Sequence, residues 1–224
     1  VGHVFKPYFS HSLKLLTSAS RMSADNSNSN NSDSDAVSDP PLTSRDVLYI
    51  EACKEMSNYA KCYLSGNLLI FQQALNKLSG LPQKSVALQT KMVEVQSVLA
   101  QIESFDFNAE LVHEDELYAI VSEIGKVEDD YVAMREKRQF KADVDLLQQI
   151  LAEVGFEAKE ERLAEARRLL VQNFAKAFDN FMATINDAER ATEWELVEFH
   201  ERFSAISDFE EQYKCFDQFW PIFW

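Results

Sequence analysis

The residues of this sequence that could do chemistry are four histidines and the carboxylates near them. Glu110 and His113 have the Glu-x-x-His spacing, which places two metal ligands on one face of a helix in carboxylate di-iron proteins. Such a centre needs a second Glu-x-x-His on another helix and two further glutamates, and this sequence contains no second copy. We therefore expect no di-iron site, and a bundle enzyme is the third of three functional alternatives.

The other catalytic patterns are also incomplete. His200 and Glu201 begin the His-Glu-x-x-His pattern of zinc peptidases, but Ser204 stands where the second histidine belongs. His3 and His11 lie in the N-terminal segment without ligand partners nearby in the sequence. The sequence has no glycine-rich phosphate loop and no Gly-x-Ser-x-Gly nucleophile elbow. We predict that the chain is not an enzyme and that it has no catalytic residue, cofactor or metal site.

The net charge of -15 restricts the kinds of partner that the chain can bind. Nucleic-acid binding requires clustered Lys and Arg, so we exclude nucleic acid as a general partner. The same acidity disfavours a basic face that would hold an anionic membrane. An acidic helical surface fits association with other protein chains better, with membrane contact indirect or peripheral.

The cysteines and the hydropathy indicate the compartment. Cys53, Cys62 and Cys215 are an odd number of thiols without the short spacing of a zinc knuckle, which favours a reducing environment. No apolar run approaches the roughly 18 residues that span a bilayer. We expect a soluble, cytoplasmic chain.

The elements that would position any site are helices. Five glycines and five prolines in 224 residues are too few for the turns of a sheet protein. The longest pattern runs from Phe156 to Trp220, where apolar residues recur every three or four positions. One unbroken helix over this stretch would be about 95 Å long, so we expect either a break near Asn186 or a rod. The predicted fold is all-α, with long antiparallel helices and an N-terminal coiled coil that leads into a helical bundle or rod.

Residues 1–42 are expected to precede the folded part. Val1 to Arg21 is basic and resembles a mitochondrial presequence, but we favour a fragment or an upstream-extended translation with Met22 as the natural start. Ser23 to Pro41 is rich in Ser, Asn and Asp, and it has too few apolar side chains to offset the entropy lost on ordering. We predict a disordered leader and tail.

Residues 43–108 are predicted to form a coiled-coil helical hairpin. Thr43 and Asp46 have the spacing of a capping box, and Gly80 followed by Pro82 predicts where the first helix ends. The second helix carries an apolar seam with the 4-3-4-3 spacing of coiled coils. We expect this seam to bind a partner subunit. Its residues are Leu88, Met92, Val95, Leu99 and Ile102.

Residues 109–224 are predicted to form a helical bundle or rod that continues in the full-length protein. Asn108 should cap a third helix from about Ala109 to Val154, with Gly155 as its stop. The final third is rich in Phe and Trp, and we expect the aromatic residues on the helical stripe to lie in the core. For so apolar a chain end, we expect either that a partner covers it or that the natural chain continues. The additional partner-binding residues that we assign are Phe216, Phe219 and Trp220.

Three blocks of this sequence resemble the N-terminal part of the helical-rod subunits of multisubunit vesicle-tethering complexes. The block from Asn67 to Glu103 is similar to that family's leading coiled-coil helix. Arg138 to Ile150, followed by Arg162 to Phe178, resembles the step from coiled coil into stacked helices, and Phe203 to Trp220 is similar to the next helix. The class includes the exocyst, Golgi-associated retrograde protein and conserved oligomeric Golgi complexes, and the nearest resemblance is to subunit seven of the last. The family's usual N-terminal segment, with a tryptophan ahead of the first coil, is absent here.

The resemblance implies a non-catalytic scaffold or adaptor subunit that acts in Golgi retrograde transport. Such a subunit would be cytoplasmic, peripheral on the Golgi membrane, and bound to sister subunits through its leading helices. The alternatives are a coiled-coil kinetochore or cytoskeletal adaptor and a membrane-binding helical crescent.

Overall fold

A computed structural model describes residues 42–223, which are all-α and contain no strand. The predictions for residues 1–41 and for Trp224 lie outside this described part of the chain. The α-helices, numbered here in chain order, are α1 (Ser44–Ser79), α2 (Val86–Ser104), α3 (Glu114–Arg135), α4 (Lys141–Glu153), α5 (Phe156–Thr184), α6 (Asp187–Thr192), α7 (Trp194–Ala205) and α8 (Phe209–Phe216).

The two longest helices, α1 and α5, pack side by side and run antiparallel. Near the start of α1, the Asn173 amide of α5 donates a hydrogen bond to the Glu55 carboxylate at 3.0 Å. Further along α1, Gly66 lies against Lys159, which is near the start of α5. A Cβ atom at position 66 would lie only 3.0 Å from Lys159 Cγ, so the glycine lets the two helices approach closely.

The first helix, α1, begins and ends where the sequence predicted. The Asp46 N–H donates to Thr43 Oγ1 at 3.1 Å and the Thr43 N–H donates to the Asp46 carboxylate at 2.9 Å, which completes the capping box. α1 ends at Ser79, directly before Gly80. α2 packs against α1, but α1 also packs along α5, so a separate two-helix coiled coil is not confirmed.

The prediction of one helix from Ala109 to Val154 was wrong. Asn108 does not cap a helix; its N–H donates to Asp106 Oδ1 at 2.9 Å within a turn, and α3 begins only after His113. α3 ends at Arg135, and a 3₁₀ turn at Arg138–Phe140 precedes α4. The interruption falls where the run of charged residues offers no apolar side chain to bury.

The stretch from Phe156 to Trp220 is broken, as one of the two predicted alternatives required. Asn186 Oδ1 accepts from the N–H groups of Ala188 and Glu189 at 2.9 and 3.1 Å, so it caps the short helix α6. α5 therefore ends at Thr184, and α7 and α8 fold back onto it. The other predicted stop, Gly155, has φ of +80° and joins α4 to α5.

Two hydrophobic cores hold the described helices together, and Phe71 packs against both. The aromatic core is the larger, and at its centre Phe174 has neighbouring rings with centroids between 4.7 and 6.3 Å away. Most of these ring pairs meet edge to face, the geometry that the charge distribution of aromatic rings favours. The aliphatic core is smaller, and its buried residues are Ile70, Ala74, Leu78, Leu88, Ile150 and Val154.

Candidate functional site

The seam that was expected to bind a partner packs inside this chain instead. Leu99 is 7% exposed and Ile102 is completely buried, while Leu88 belongs to the aliphatic core. Met92 and Val95 are half-buried. The partner interface at this seam stays a prediction, and a partner could reach Leu88, Leu99 and Ile102 only if α2 left the bundle.

The three aromatic residues assigned to a partner also lie in the interior. Phe219 and Trp220 are completely buried and Phe216 is nearly so. The Phe216 and Phe219 rings pack against Phe174 of α5 with centroid distances of 4.7 and 4.8 Å. α5 and α7 cover these side chains within the chain, as expected for aromatic residues of the core, and their assignment to a partner interface stays a prediction.

The opposite side of α2 is exposed and carries no charge. We call this surface the outer face of α2; its residues repeat at 4-3-4-3 spacing, two positions before the buried seam. At 3.6 residues per turn the two sets lie on opposite sides of the helix. Val86 and Val93 are 79% and 66% exposed, in a chain in which 26% of residues are charged. The residues of the outer face are Val86, Thr90, Val93, Ser97 and Ala100.

Sequence reasoning assigned the partner interface to the face of α2 that the chain itself largely covers. Both faces have the same 4-3-4-3 spacing, and the longer side chains of Leu88, Leu99 and Ile102 made their face the obvious seam. The signal that could have identified the outer face is the absence of charge from its five positions, although Lys91 and Glu94 lie on other sides of the same turns.

A second feature is a cavity of about 360 Å³ beside the aliphatic core, which we call the aliphatic cavity. Its walls come from all of the first five helices, and most of the lining side chains are aliphatic or aromatic. Residues that line it include Ile70, Leu78, Val95, Tyr131, Val132, Arg135, Leu147, Gln148, Ile150 and Phe156.

Cations with different surroundings lie around this cavity. The Lys91 ammonium is buried and forms ion pairs with Glu94 and with Asp130, the latter at 3.3 Å. Arg135, which also lines the cavity, is exposed, and Lys137 and Arg138 follow it in the chain. No ion pair or hydrogen bond joins any of these last three side chains to the described residues. Glu136 lies between them in the sequence, so residues 135–138 carry a net charge of about +2 at this end of α3.

A buried polar cluster joins α1, α3 and α5 next to the cavity. The Lys159 ammonium lies 2.6 Å from Glu160, 3.4 Å from Asn67 Oδ1, and 4.5 Å from the centre of the Phe156 ring. Burial raises the pKa of the Glu128 carboxyl, and the positive charge of Lys159 opposes that shift. Because the Lys159 ammonium group is already paired and hydrogen-bonded, we interpret this cluster as one that stabilises the fold.

The histidines considered as metal ligands have other neighbours. Glu110 forms an ion pair with Lys54 at 3.1 Å, and His113 is exposed at the start of α3. His200 Nε2 lies 2.8 Å from Asp179 Oδ1, and the imidazole packs on Phe178. Within residues 42–223, no three His, Cys, Asp or Glu side chains are grouped as a metal site would require.

Comparison of the chain with protein-family models, curated proteins and solved structures found no match. The relation to vesicle-tethering subunits therefore depends on the sequence resemblance alone. In the described part of the chain, no helix has both the length and the apolar character needed to cross a membrane.

Proposed function

We propose that this chain is a non-catalytic scaffold subunit of a helical multiprotein complex and that the outer face of α2 binds a helix of a sister subunit. The observation that carries the proposal is the uncharged, exposed 4-3-4-3 pattern centred on Val93. Small and β-branched side chains at this spacing let a second helix approach closely and bury apolar area, at about 25 cal/mol per Å².

The kind of complex is inferred from the resemblance to tethering subunits. We propose that the sister subunits belong to a tether of Golgi retrograde transport, and that the chain is cytoplasmic and peripheral on the Golgi membrane. The chain's acidity supports contact with the membrane through other subunits, because a net charge of -15 repels anionic lipid.

The test compares two substitutions of exposed apolar residues in the full chain, tagged and purified from its native cells. Val93→Asp places a charge on the outer face of α2, and Leu169→Asp places the same charge at an exposed position of α5. We expect helical subunits of a Golgi tether to co-purify with the parent chain and with Leu169→Asp, but not with Val93→Asp, as judged by mass spectrometry.

Two results would contradict this proposal. Unchanged co-purification with Val93→Asp would remove the outer face of α2 from the interface. Recovery of kinetochore or cytoskeletal proteins instead of tether subunits would favour the alternative adaptor and would contradict the Golgi assignment.

A further inference from the structure

The aliphatic cavity has the size and the lining of a small-molecule site. Ligand pockets in proteins have volumes of about 300 to 1,000 Å³, with mostly apolar walls and a few polar groups that orient the ligand. The cavity here has a volume of about 360 Å³. If a methylene group occupies about the 30 Å³ of a water molecule, the cavity holds on the order of ten carbon atoms.

Polar and charged side chains line the cavity from each of its five helices. The Tyr131 and Gln148 side chains line it together with Arg135, and all three belong to the adjacent helices α3 and α4. Lys91 also lines the cavity, but its charge is compensated by Glu94 and Asp130. The Arg135 guanidinium has no such partner among the described residues, and it is exposed at the cavity's edge.

We propose that the aliphatic cavity binds a long-chain carboxylate, with its acyl chain among the aliphatic side chains and its carboxylate paired with Arg135. A planar guanidinium donates two parallel hydrogen bonds to a carboxylate, which a lysine cannot do. Lys137 and Arg138 add positive charge near Arg135, and the intervening Glu136 offsets one of these charges, so the segment stays cationic in a chain of net charge -15. This site is distinct from the outer face of α2, so each of the two proposals can fail without the other.

Two carboxylates of the protein also line the cavity and determine where the anion binds. Glu128 lies near Lys159 and Glu157 is at an exposed position of α5. Both would repel a carboxylate placed against them. The head of the ligand is therefore placed at Arg135, at the C-terminal end of α3, about two helical turns beyond Glu128.

The first experiment measures binding by titration calorimetry with the full chain and dodecanoate below its micelle concentration. The matched probe is dodecyltrimethylammonium, which has the same chain length and the opposite charge. We expect one dodecanoate per chain, bound at least about tenfold more tightly than the cation, since one well-formed guanidinium–carboxylate pair supplies a difference of that order. Equal affinity for both probes, or no binding of dodecanoate, would overturn the proposal.

Two variants locate the site, and one matched variant controls for charge. Arg135→Glu should weaken dodecanoate binding by about tenfold or more, because it replaces attraction with repulsion. Lys176→Glu, which reverses an exposed cation of α5 that has no ion-pair partner in the described chain, should leave the affinity within about twofold because it lies outside the cavity lining. Leu147→Trp should fill the cavity and abolish binding.

Circular dichroism of each variant shows whether a loss of binding comes from unfolding. Arg135 is exposed, so its replacement should leave the helix content unchanged. Equal weakening by Arg135→Glu and Lys176→Glu would contradict the assigned position of the carboxylate. If Leu147→Trp removes a sister subunit from the complex while dodecanoate does not bind, the cavity receives a partner's side chain and the proposal is wrong.

Discussion

The aromatic core and the aliphatic core differ in how completely they are filled. In the aromatic core, rings from α5, α7 and α8 surround Phe174, and Phe219 and Trp220 are completely buried. The aliphatic core has few buried residues and lies beside a cavity of about 360 Å³. The filled region fixes the fold, whereas the unfilled region leaves room for a ligand, because closely packed interiors contain few voids larger than a water molecule.

The largest expected effect is the loss of a ring at the centre of the aromatic core. Phe174→Ala should lower the free energy of unfolding by about 3 to 5 kcal/mol, because it removes contacts with several rings and leaves a cavity. Ile150→Ala in the aliphatic core should cost about 2 kcal/mol, since its surroundings are already incompletely packed. Urea denaturation followed by circular dichroism measures both, and a larger loss for Ile150→Ala would contradict the difference drawn between the cores.

The helix α2 contributes residues to both cores, and substitutions on its two faces should change the free energy of unfolding by different amounts. Leu99→Asp should destabilise the chain by about 3 kcal/mol or more, because it buries an unpaired charge. Val93→Asp on the outer face should change the stability by less than about 0.5 kcal/mol. Thermal unfolding of the two variants distinguishes the faces, and similar losses would mean that the outer face is not exposed in solution.

A smaller change in stability is expected at the junction between α4 and α5. Replacing its glycine by alanine should destabilise the chain, whereas the same replacement inside α3 should stabilise it. Gly155 has φ of +80°, so Gly155→Ala should destabilise by about 1 to 2 kcal/mol through backbone strain. Gly125→Ala, inside α3 where an added Cβ meets no atom within 4 Å, should stabilise by about 0.5 to 1 kcal/mol. Denaturant midpoints of the two variants that move in the same direction would contradict this account of Gly155.

The smallest effect is the pH dependence of stability that Glu128, a lining residue of the aliphatic cavity, should produce. Burial raises the native pKa of Glu128, so the folded chain binds more protons than the unfolded chain at this residue. The contribution of Glu128 to stability therefore falls as the pH rises from its ordinary pKa through the native one. Glu128→Gln should be more stable than the parent at neutral pH, and the difference should shrink towards pH 4. A difference that grows on acidification would contradict this sign.

Helix ends with specific chemistry could be predicted from the sequence. Thr43 with Asp46, Gly80 and Gly155 mark ends that local hydrogen bonds and backbone conformation determine. The start of α3 could not be predicted, because the turn at Asp106 and Asn108 uses the same residue types as a helix cap.

The candidate surface was the harder prediction, for a physical reason. Helical periodicity shows that a residue belongs to a face, but it does not show which element covers that face. The buried seam of α2 and the buried aromatic end of the chain both contain side chains that need cover, and the chain supplies that cover itself. The uncharged outer face could be identified as a candidate surface only after the structure showed that the seam on the opposite side of α2 is largely buried.

The most direct test places a photo-crosslinking amino acid at position 93 of the full chain in its native cells, with position 169 as the control. Both positions are exposed in the isolated chain. The scaffold proposal predicts an adduct with a helical subunit of a Golgi tether at position 93 and none at position 169. No adduct at position 93, or the same adducts at both positions, would contradict it.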